Sequence, residues 1–257
     1  MRILITIPTW NEAVVIDTTL TTMSEAVKKF LPEHDVTIEV ADNGSTDGTR
    51  EIVKRRGAMN CILHDDARRE ERDSSRPYHI LELHERGKGI AIRRSWEKHL
   101  NDFEILVFMD ADLATDLRHL PELVQPLVQG QTDLVCGSRF LPGAHVERGW
   151  MRESASRLYR SLQHLILGLP VHDAQCGFKA TTAAVACEVL PHCQEQTWLF
   201  DSELLAWAVH LHKRILEIPV SWHEYRVPER RSTISIFHDG WGFIQGLVRI
   251  RQGLKRS

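Results

Sequence analysis

Residues 105–116 read Ile-Leu-Val-Phe-Met-Asp-Ala-Asp-Leu-Ala-Thr-Asp. The unbroken apolar run from Ile105 to Met109 has the length and composition of a strand buried on both faces, as in a parallel sheet covered by helices. It ends in Asp110 and Asp112, which share one face if the extended backbone continues past Met109. Two carboxylates at the carboxyl end of a buried strand suit a hard divalent cation, Mg²⁺ or Mn²⁺, with phosphate oxygens completing its shell. The competing reading is a strand that runs into a polar turn, where Asp is common for its local hydrogen bonds. The surrounding chain decides between them.

Working outward, strands and helices alternate on both sides of this stretch. Arg2–Pro8 is strand-like and stops at Pro8-Thr-Trp-Asn-Glu12, after which Ile16, Leu20, Met23, Val27 and Phe30 fall on one helical stripe. Val36–Val40 is a second strand, closed by Ala41-Asp42-Asn43-Gly44-Ser45-Thr46-Asp47-Gly48-Thr49, and a helix follows from Arg50 to about Arg56. Ile80–His84 resumes strand character. On the other side, Leu117–Val128 is helical around Pro121, and Leu134–Cys136 is a strand leading into Gly137-Ser138-Arg139. Met151 to Leu169 traces an apolar helical face with Arg152, Arg157 and Arg160 off it, and Ile215–Trp222 is a last strand. The expected fold class is α/β, with a mostly parallel, Rossmann-like central sheet flanked by helices.

The chain has 257 residues and a formal net charge of −3, which gives no support to bulk nucleic-acid binding. Five cysteines without C-x-x-C spacing read as reduced thiols of a cytosolic protein. The first residues read as a strand and not as a signal peptide, and no apolar run approaches ~18 residues, so any membrane role is peripheral. Two regions are expected: a catalytic domain over 1–232 and a basic amphipathic segment over 233–257. The second combines Phe237, Trp241, Ile244, Leu247 and Val248 with Arg249, Arg251, Lys255 and Arg256. Gly240, Gly242 and Gly246 weaken it as an isolated helix, so it needs a surface to fold against, the protein's own or a lipid's.

Several loops carry candidate chemistry. The Asp-rich loop after the second strand is not an EF-hand: counted from Asn43, position 12 is Lys54 where a bidentate Glu is required. Gly87-Lys88-Gly89 opens a helix and offers backbone N–H groups and a cation to a phosphate, although it is not a Walker A loop. Asp173-Ala-Gln-Cys-Gly-Phe-Lys179 has the look of a site loop, in which Cys176 reads as a packed thiol because no local His pairs with it. Phe200-Asp201-Ser202-Glu203 opens a helix, where the macrodipole alone favours acids. The mixed-charge stretch His64–Tyr78 reads as a solvated loop.

Taken together these loops resemble glycosyltransferase family 2, nucleotide-sugar enzymes of the GT-A fold. The resembling residues are Pro-Thr-Trp-Asn-Glu, Asp-Asn-Gly-Ser-Thr-Asp-Gly-Thr, Arg-Gly-Lys-Gly-x-Ala-x-Arg, Asp-Ala-Asp, Gly-Ser-Arg, Gln-Cys-Gly-Phe-Lys and Phe-Asp-x-Glu-Leu-Leu, in the family's order over about 3–236. The pairing of Asp-Ala-Asp with Gln-Cys-Gly-Phe-Lys is most similar to dolichyl-phosphate glucosyltransferases, with the mannose synthases close behind. The resemblance implies that Pro8, Trp10, Glu12, Val40 and Asp42 surround the nucleoside. It implies that Lys88, Asp110, Ala111 and Asp112 serve the donor diphosphate, with Asp110 and Asp112 bringing the metal. Arg139 and Arg226 then face phosphates, and Arg152, Gln175 and Lys179 lie on the acceptor side. Two departures stand out: Ala41 replaces the usual first acid of an Asp-Asp pair, and Thr233 replaces a Lys for which Arg230 or Arg231 substitutes.

The implied activity is inverting, metal-dependent transfer of a hexose from a nucleotide sugar to a polyprenyl phosphate, at the cytoplasmic face of a membrane. UDP-glucose is the favoured donor and GDP-mannose the alternative. A phosphate acceptor is already ionised near neutral pH and needs no base, whereas a hydroxyl acceptor needs one, for which Asp201 or Glu203 is the candidate. A sugar nucleotidyltransferase is disfavoured because Pro-Thr-Trp-Asn-Glu stands where its Gly-rich loop belongs. A non-catalytic nucleotide-sugar sensor is disfavoured by the intact pair of carboxylates.

Overall fold

The computed structural model describes residues 1–63, 78–147, 150–223 and 236–256, and within these the side chains of 58–63, 150–155, 158 and 236–241 lie outside the description. The first half alternates strictly: β1 (Arg2–Thr9), α1 (Ile16–Phe30), β2 (Asp35–Asp42), α2 (Thr49–Leu63), β3 (Tyr78–Glu82), α3 (Lys88–His99) and β4 (Ile105–Met109). A 3₁₀ turn, Leu117–His119, then leads into α4 (Leu120–Val128) and β5 (Leu134–Ser138). Next come β6 (His145–Glu147), α5 (Trp150–Leu167), β7 (Phe178–Thr182), α6 (Ala183–Val189) and α7 (Phe200–His210). The described chain closes with β8 (Ile215–Pro219), β9 (Ser221–His223) and α8 (Ile236–Leu254).

Seven strands form one sheet in the order β3-β2-β1-β4-β7-β5-β8, and β6 and β9 form a small parallel pair. Every pairing in the large sheet is parallel except those of β7, which runs against both β4 and β5. The central stretch behaves as its composition requires. Ile105, Val107 and Met109 face one core with α1 and α4, while Leu106 and Phe108 face a second core with α3, α6 and α7. All five residues are buried, so both faces of β4 are covered. The chain leaves β1 towards β2 on one side and returns to β4 on the other. The crevice outside the carboxyl ends of β1 and β4 is therefore a topological switch point, where open α/β sheets bind ligands.

Three expectations change. The expected site loop 173–179 runs into a strand: Phe178 and Ala180 face one core while Lys179 and Thr181 alternate to the other side, and a lysine there disguised the strand. The expected strand Ile215–Trp222 breaks at Val220, just after Pro219. Its second part, β9, leaves the large sheet to pair with β6 and to bridge Thr115 through Trp222. The helix expected over Leu117–Val128 starts as a 3₁₀ turn, capped by the Asp116 carboxylate accepting from the Arg118 N–H at 2.9 Å.

The basic amphipathic tail is a helix folded against its own protein. Leu247 and Ile250 of α8 are buried with the second core, and Phe243 meets Tyr159 of α5 edge-on at 5.2 Å between ring centroids. A Cβ on Gly246 would lie 2.0 Å from Leu199 Cδ1, so the glycine lets α8 sit here without displacing that side chain. Arg251 donates to the carbonyl oxygens of Leu165 and Ile166 at the carboxyl end of α5, and Arg249 pairs with Glu195 at 2.9 Å. The boundary expected at 232/233 lies outside the described residues.

Candidate active site

The carboxyl end of β4 delivers Asp110 and Asp112 to a narrow cleft lined by Met109, Asp110, Asp112, Ala114, Thr115, Gly177 and Trp222. Asp112 is held by the Ala114 N–H, which donates to Oδ1 at 3.1 Å. Asp110 is anchored through its own N–H to the Gly177 carbonyl at 3.1 Å. A Cβ on Gly177 would come within 1.9 Å of Asp110 Oδ2, so only glycine leaves room for the carboxylate there. Surrounding protein and the charges of Asp112 and Asp201 push the Asp110 carboxyl above its ordinary range, although Lys88 pulls the other way. Among the described residues no third His, Cys, Asp or Glu joins the pair to make a closed metal cage. Two carboxylates with open positions fit a hard cation that keeps water and phosphate oxygens in its shell.

Behind Asp110 lies a buried ladder of alternating charge. Lys88 Nζ sits 2.9 Å from Asp110 Oδ1 and 3.0 Å from Asp201 Oδ2, and Lys179 Nζ takes the other Asp201 oxygen at 2.7 Å. Lys179 is wholly buried and also donates to the Cys176 carbonyl at 2.6 Å. Burial opposes every one of these charges. The two carboxylates nonetheless raise the Lys88 pKa above its ordinary value, and the two lysines hold Asp201 below the usual carboxylate range. Asp201, a candidate base only for a hydroxyl acceptor, thus faces two ammonium groups and is 1% exposed. Glu203 is turned to the backbone N–H groups of Gln194 and Glu195, at 2.9 and 2.7 Å.

The glycines around Lys88 serve packing. A Cβ on Gly87 would stand 2.1 Å from the Gln196 carbonyl oxygen, and one on Gly89 would stand 2.5 Å from Phe200 Cβ. The Ile90 N–H donates to Gln196 O at 3.0 Å, so this helix start is already engaged by the loop before α7.

On the β1–β2 side, the loops after the two strands are laced together. Asn11, with φ of 56°, donates from its N–H to Ser45 Oγ at 2.9 Å, and its side-chain oxygen accepts from the Thr46 N–H at 2.8 Å. The Glu12 N–H donates to Thr49 Oγ1 at 2.9 Å and the Ala13 N–H to Asp47 at 3.0 Å. Asp42 Oδ2 accepts from the N–H groups of Gly44 and Ser45, both at 3.1 Å, and from Arg50. Three buried oxygens at this edge, Thr9 Oγ1, Asp42 Oδ1 and Asn43 Oδ1, have no hydrogen-bond partner among the described residues. Trp10 is partly exposed beneath the Arg86 guanidinium, 5.2 Å from its ring centroid. Val40 and Ala41 are fully buried, so Val40 reaches the crevice only through backbone, and the alanine in place of an acid sits in a closed position.

On the opposite side Arg139, one residue past β5, forms a fork with Asp173: Nε to Oδ2 at 2.7 Å and Nη2 to Oδ1 at 2.9 Å. Asp173 is in turn set by Glu217, which accepts from the N–H groups of His172 and Asp173. Burial pushes the Asp173 carboxyl up, but Arg139 outweighs it and holds the carboxyl below its usual range. Gln175 donates to Ser202 Oγ at 2.6 Å, as does Gln163 of α5. Cys176 is a packed thiol, pushed up to about 12 by burial.

The sheet thus gathers Asp110, Asp112, Lys88, Asp201 and Lys179 into one cluster, with Arg139 and Gln175 beside it through the 173–177 segment. Arg226 and the side chain of Arg152 lie outside the described residues, as do Arg230, Arg231 and Thr233. Asp173, Gly177 and Glu217 carry roles that sequence reasoning did not assign. Asp173 and Gly177 sat inside a quoted motif, while Glu217 gave no local signal.

Comparison with known proteins places the whole chain. In the archaeon Haloferax volcanii, the protein named glycosyltransferase AglD is 32% identical over 97% of this chain, which spans 37% of that protein's length. The dolichyl-phosphate beta-glucosyltransferase of Saccharomyces cerevisiae is 27% identical over 86% of this chain and 66% of its own length. An undecaprenyl-phosphate mannosyltransferase of Micrococcus luteus is 29% identical over 99% of this chain and all of its own. Among solved structures, glucosyl-3-phosphoglycerate synthase from Mycobacterium tuberculosis, in complex with Mn²⁺, UDP and phosphoglyceric acid, superposes with a TM-score of 0.65. That match covers 98% of this chain and 78% of the other at 18% identity, and it confirms the fold. The family model described as glycosyl transferase family 2 matches residues 4–189, most of the chain, and the chain belongs to that family.

Proposed function

We propose that this glycosyltransferase moves a hexose from a nucleotide sugar, UDP-glucose in first place, to a polyprenyl phosphate, with inversion at the anomeric carbon. The carrying observation is the pair Asp110 and Asp112 at the switch point, in a chain similar along most of its length to enzymes named for lipid-phosphate acceptors. The unpartnered oxygens of Thr9, Asp42 and Asn43 support a nucleoside at the β1–β2 edge, since buried polar groups otherwise cost about 1–3 kcal/mol each. Trp10, Pro8 and Glu12 border the same edge. A divalent cation held by Asp110 and Asp112 would supply positive charge to the diphosphate as the sugar–phosphate bond breaks. Mn²⁺ accompanies UDP in the fold neighbour.

The acceptor side follows from charge. A phosphate monoester, with a second pKa of about 6, is a ready nucleophile at neutral pH. The enclosure of Asp201 between two lysines favours this acceptor over a hydroxyl that would need a base. Arg139, with Arg152 and Arg226, is the proposed phosphate-binding set. Gln175 and Lys179 then act indirectly, through Ser202 and Asp201. A long polyprenyl tail stays in the bilayer, because each buried methylene contributes ~0.8 kcal/mol, so the enzyme meets its acceptor at the membrane surface. No helix among the described residues is long and apolar enough to cross a membrane.

Mannosyl transfer from GDP-mannose is the second reading, favoured by the full-length match to the M. luteus enzyme. One assay tests both: a short polyprenyl phosphate, Mn²⁺, and either UDP-glucose or GDP-mannose. The expected product is a β-linked glucosyl phosphate lipid. Absence of product with both donors, or equal transfer to the unphosphorylated polyprenol, overturns the reading.

A further inference from the structure

Lys88, expected beside the donor diphosphate, is held by carboxylates on two sides. Its ammonium bridges Asp110 Oδ1 and Asp201 Oδ2 and lies 5.3 and 5.5 Å from the ring centroids of Phe108 and Trp198. It is not free to swing into solvent, because the backbone on either side is pressed against Gln196 and Phe200. Asp201 is itself fixed by Lys179, and Asp110 is fixed from behind by Gly177. Counting only the five side chains named here, three carboxylates (Asp110, Asp112, Asp201) and two ammonium groups (Lys88, Lys179) sum to −1, where the carboxylates alone would carry −3.

We propose that Lys88 is a tethered counter-ion for Asp110 that keeps the two-carboxylate site a weak cation binder until a nucleoside diphosphate arrives, so that cation and donor enter together. The proposal rests on the reading of Asp110 and Asp112 as the cation's ligands. A divalent ion approaching alone meets a site already mostly neutralised, one of whose carboxylate oxygens is engaged by an ammonium group. A diphosphate brings further negative charge and oxygen ligands, and these make up the deficit. Lys88 is thereby a positioning and charge-setting residue that touches neither sugar nor acceptor. By linkage, whatever factor the diphosphate adds to cation affinity, the cation adds to diphosphate affinity.

The test is Mn²⁺ binding to the full chain, read by the electron paramagnetic resonance signal of free Mn²⁺, with and without saturating UDP or GDP. Wild-type protein is expected to bind Mn²⁺ at least tenfold more tightly when a nucleoside diphosphate is present. Lys88→Gln is expected to bind Mn²⁺ alone about tenfold more tightly than wild type, with the nucleotide effect reduced by the same factor. Asp201→Asn should shift affinity the other way, since Lys88 then gives its whole charge to Asp110. Opposite shifts cannot come from damage to the fold, which weakens both.

Wild-type protein that binds Mn²⁺ equally with and without nucleotide overturns the proposal, and this holds even if a variant fails to fold. A folded Lys88→Gln with unchanged or weaker affinity also overturns it. Asp112→Asn separates the two readings. Binding that survives that change undiminished removes the ligand assignment and the counter-ion role with it. Binding lost in Asp112→Asn but not tightened in Lys88→Gln removes the counter-ion role alone.

Discussion

Asp112 and Gly177 meet the same cleft from opposite strands, and each predicts a different kind of loss. Asp112→Asn keeps the shape and the Ala114 contact but removes a charge, so transfer should fall by a factor on the order of 10² or more with an unchanged melting temperature. Full activity of wild-type enzyme in EDTA would contradict the premise. Gly177→Ala should act through position: its methyl occupies the space of Asp110 Oδ2, and a displacement near 1 Å can cost about 10²-fold in rate. Steady-state kinetics beside circular dichroism checks it, and an active, well-folded alanine variant would show that Asp110 moves without penalty. At this scale the sequence was partly legible. Asp110 and Asp112 announce themselves because an apolar run ends in them. The contacts of Lys88 with Asp201, and of Arg139 with Asp173, were hidden, because each joins residues from separate loops that only the sheet brings together. Lys179 even misled, since a charged residue normally marks a surface and here it is sealed beside Asp201.

At the scale of elements, β2 and α3 are joined by a pair whose strength depends on pH. His99 Nε2 lies 3.0 Å from Glu39, with Lys98 at 3.5 Å from the same carboxylate and Asp102 at 3.3 Å from His99 Nδ1. The hydrogen bond to Glu39 raises the His99 pKa above its ordinary 6.5, against the effect of burial. Burial pushes Glu39 up, but His99 and Lys98 outweigh it and hold the carboxyl below its ordinary 4.5. The His contribution is complete below pH 6.5 and is lost as pH rises through the raised value. The Glu contribution is complete above pH 4.5 and is lost as pH falls through the lowered one. Melting temperatures of wild type and His99→Gln should therefore differ most between pH 4.5 and 6.5 and converge in alkali; a constant gap from pH 5 to 9 would refute the pairing. The terminal α8 makes a plainer prediction. Leu247 is fully buried against the second core, so Leu247→Ala should cost about 2–5 kcal/mol in urea unfolding. A change under 1 kcal/mol, ~half the low end, would mean that α8 is only loosely docked. Elements with one clean period, such as α1 and β4, were legible in sequence. The β8–β9 break was not, because Pro219-Val220-Ser221 continues an apolar alternation while the backbone changes sheets.

For the whole molecule, the docking of α8 alters how a membrane encounter must be tested. Truncating the tail would take Leu247 and Ile250 out of the second core and uncover the residues they pack against, so loss of binding would report unfolding as readily as lost lipid contact. Charge changes at the exposed Lys255 and Arg256 are cleaner. Sedimentation with anionic vesicles should show binding that weakens with salt and weakens again in Lys255→Gln/Arg256→Gln; binding indifferent to both would place the lipid contact elsewhere. The overall architecture was legible, because strand and helix alternate from the first residues, but the reversed strand was not. Among the seven strands of the main sheet β7 runs against its neighbours, so it enters at the edge where β4 and β5 leave. The excursion from Arg139 to Gly177 therefore departs from the cleft and comes back to it, while everything expected of the donor precedes residue 113 except Arg226. Such an excursion can be lengthened, shortened or exchanged over generations without re-threading the strands that hold the nucleotide. On the proposed assignment, donor and acceptor are served by separate stretches of one chain.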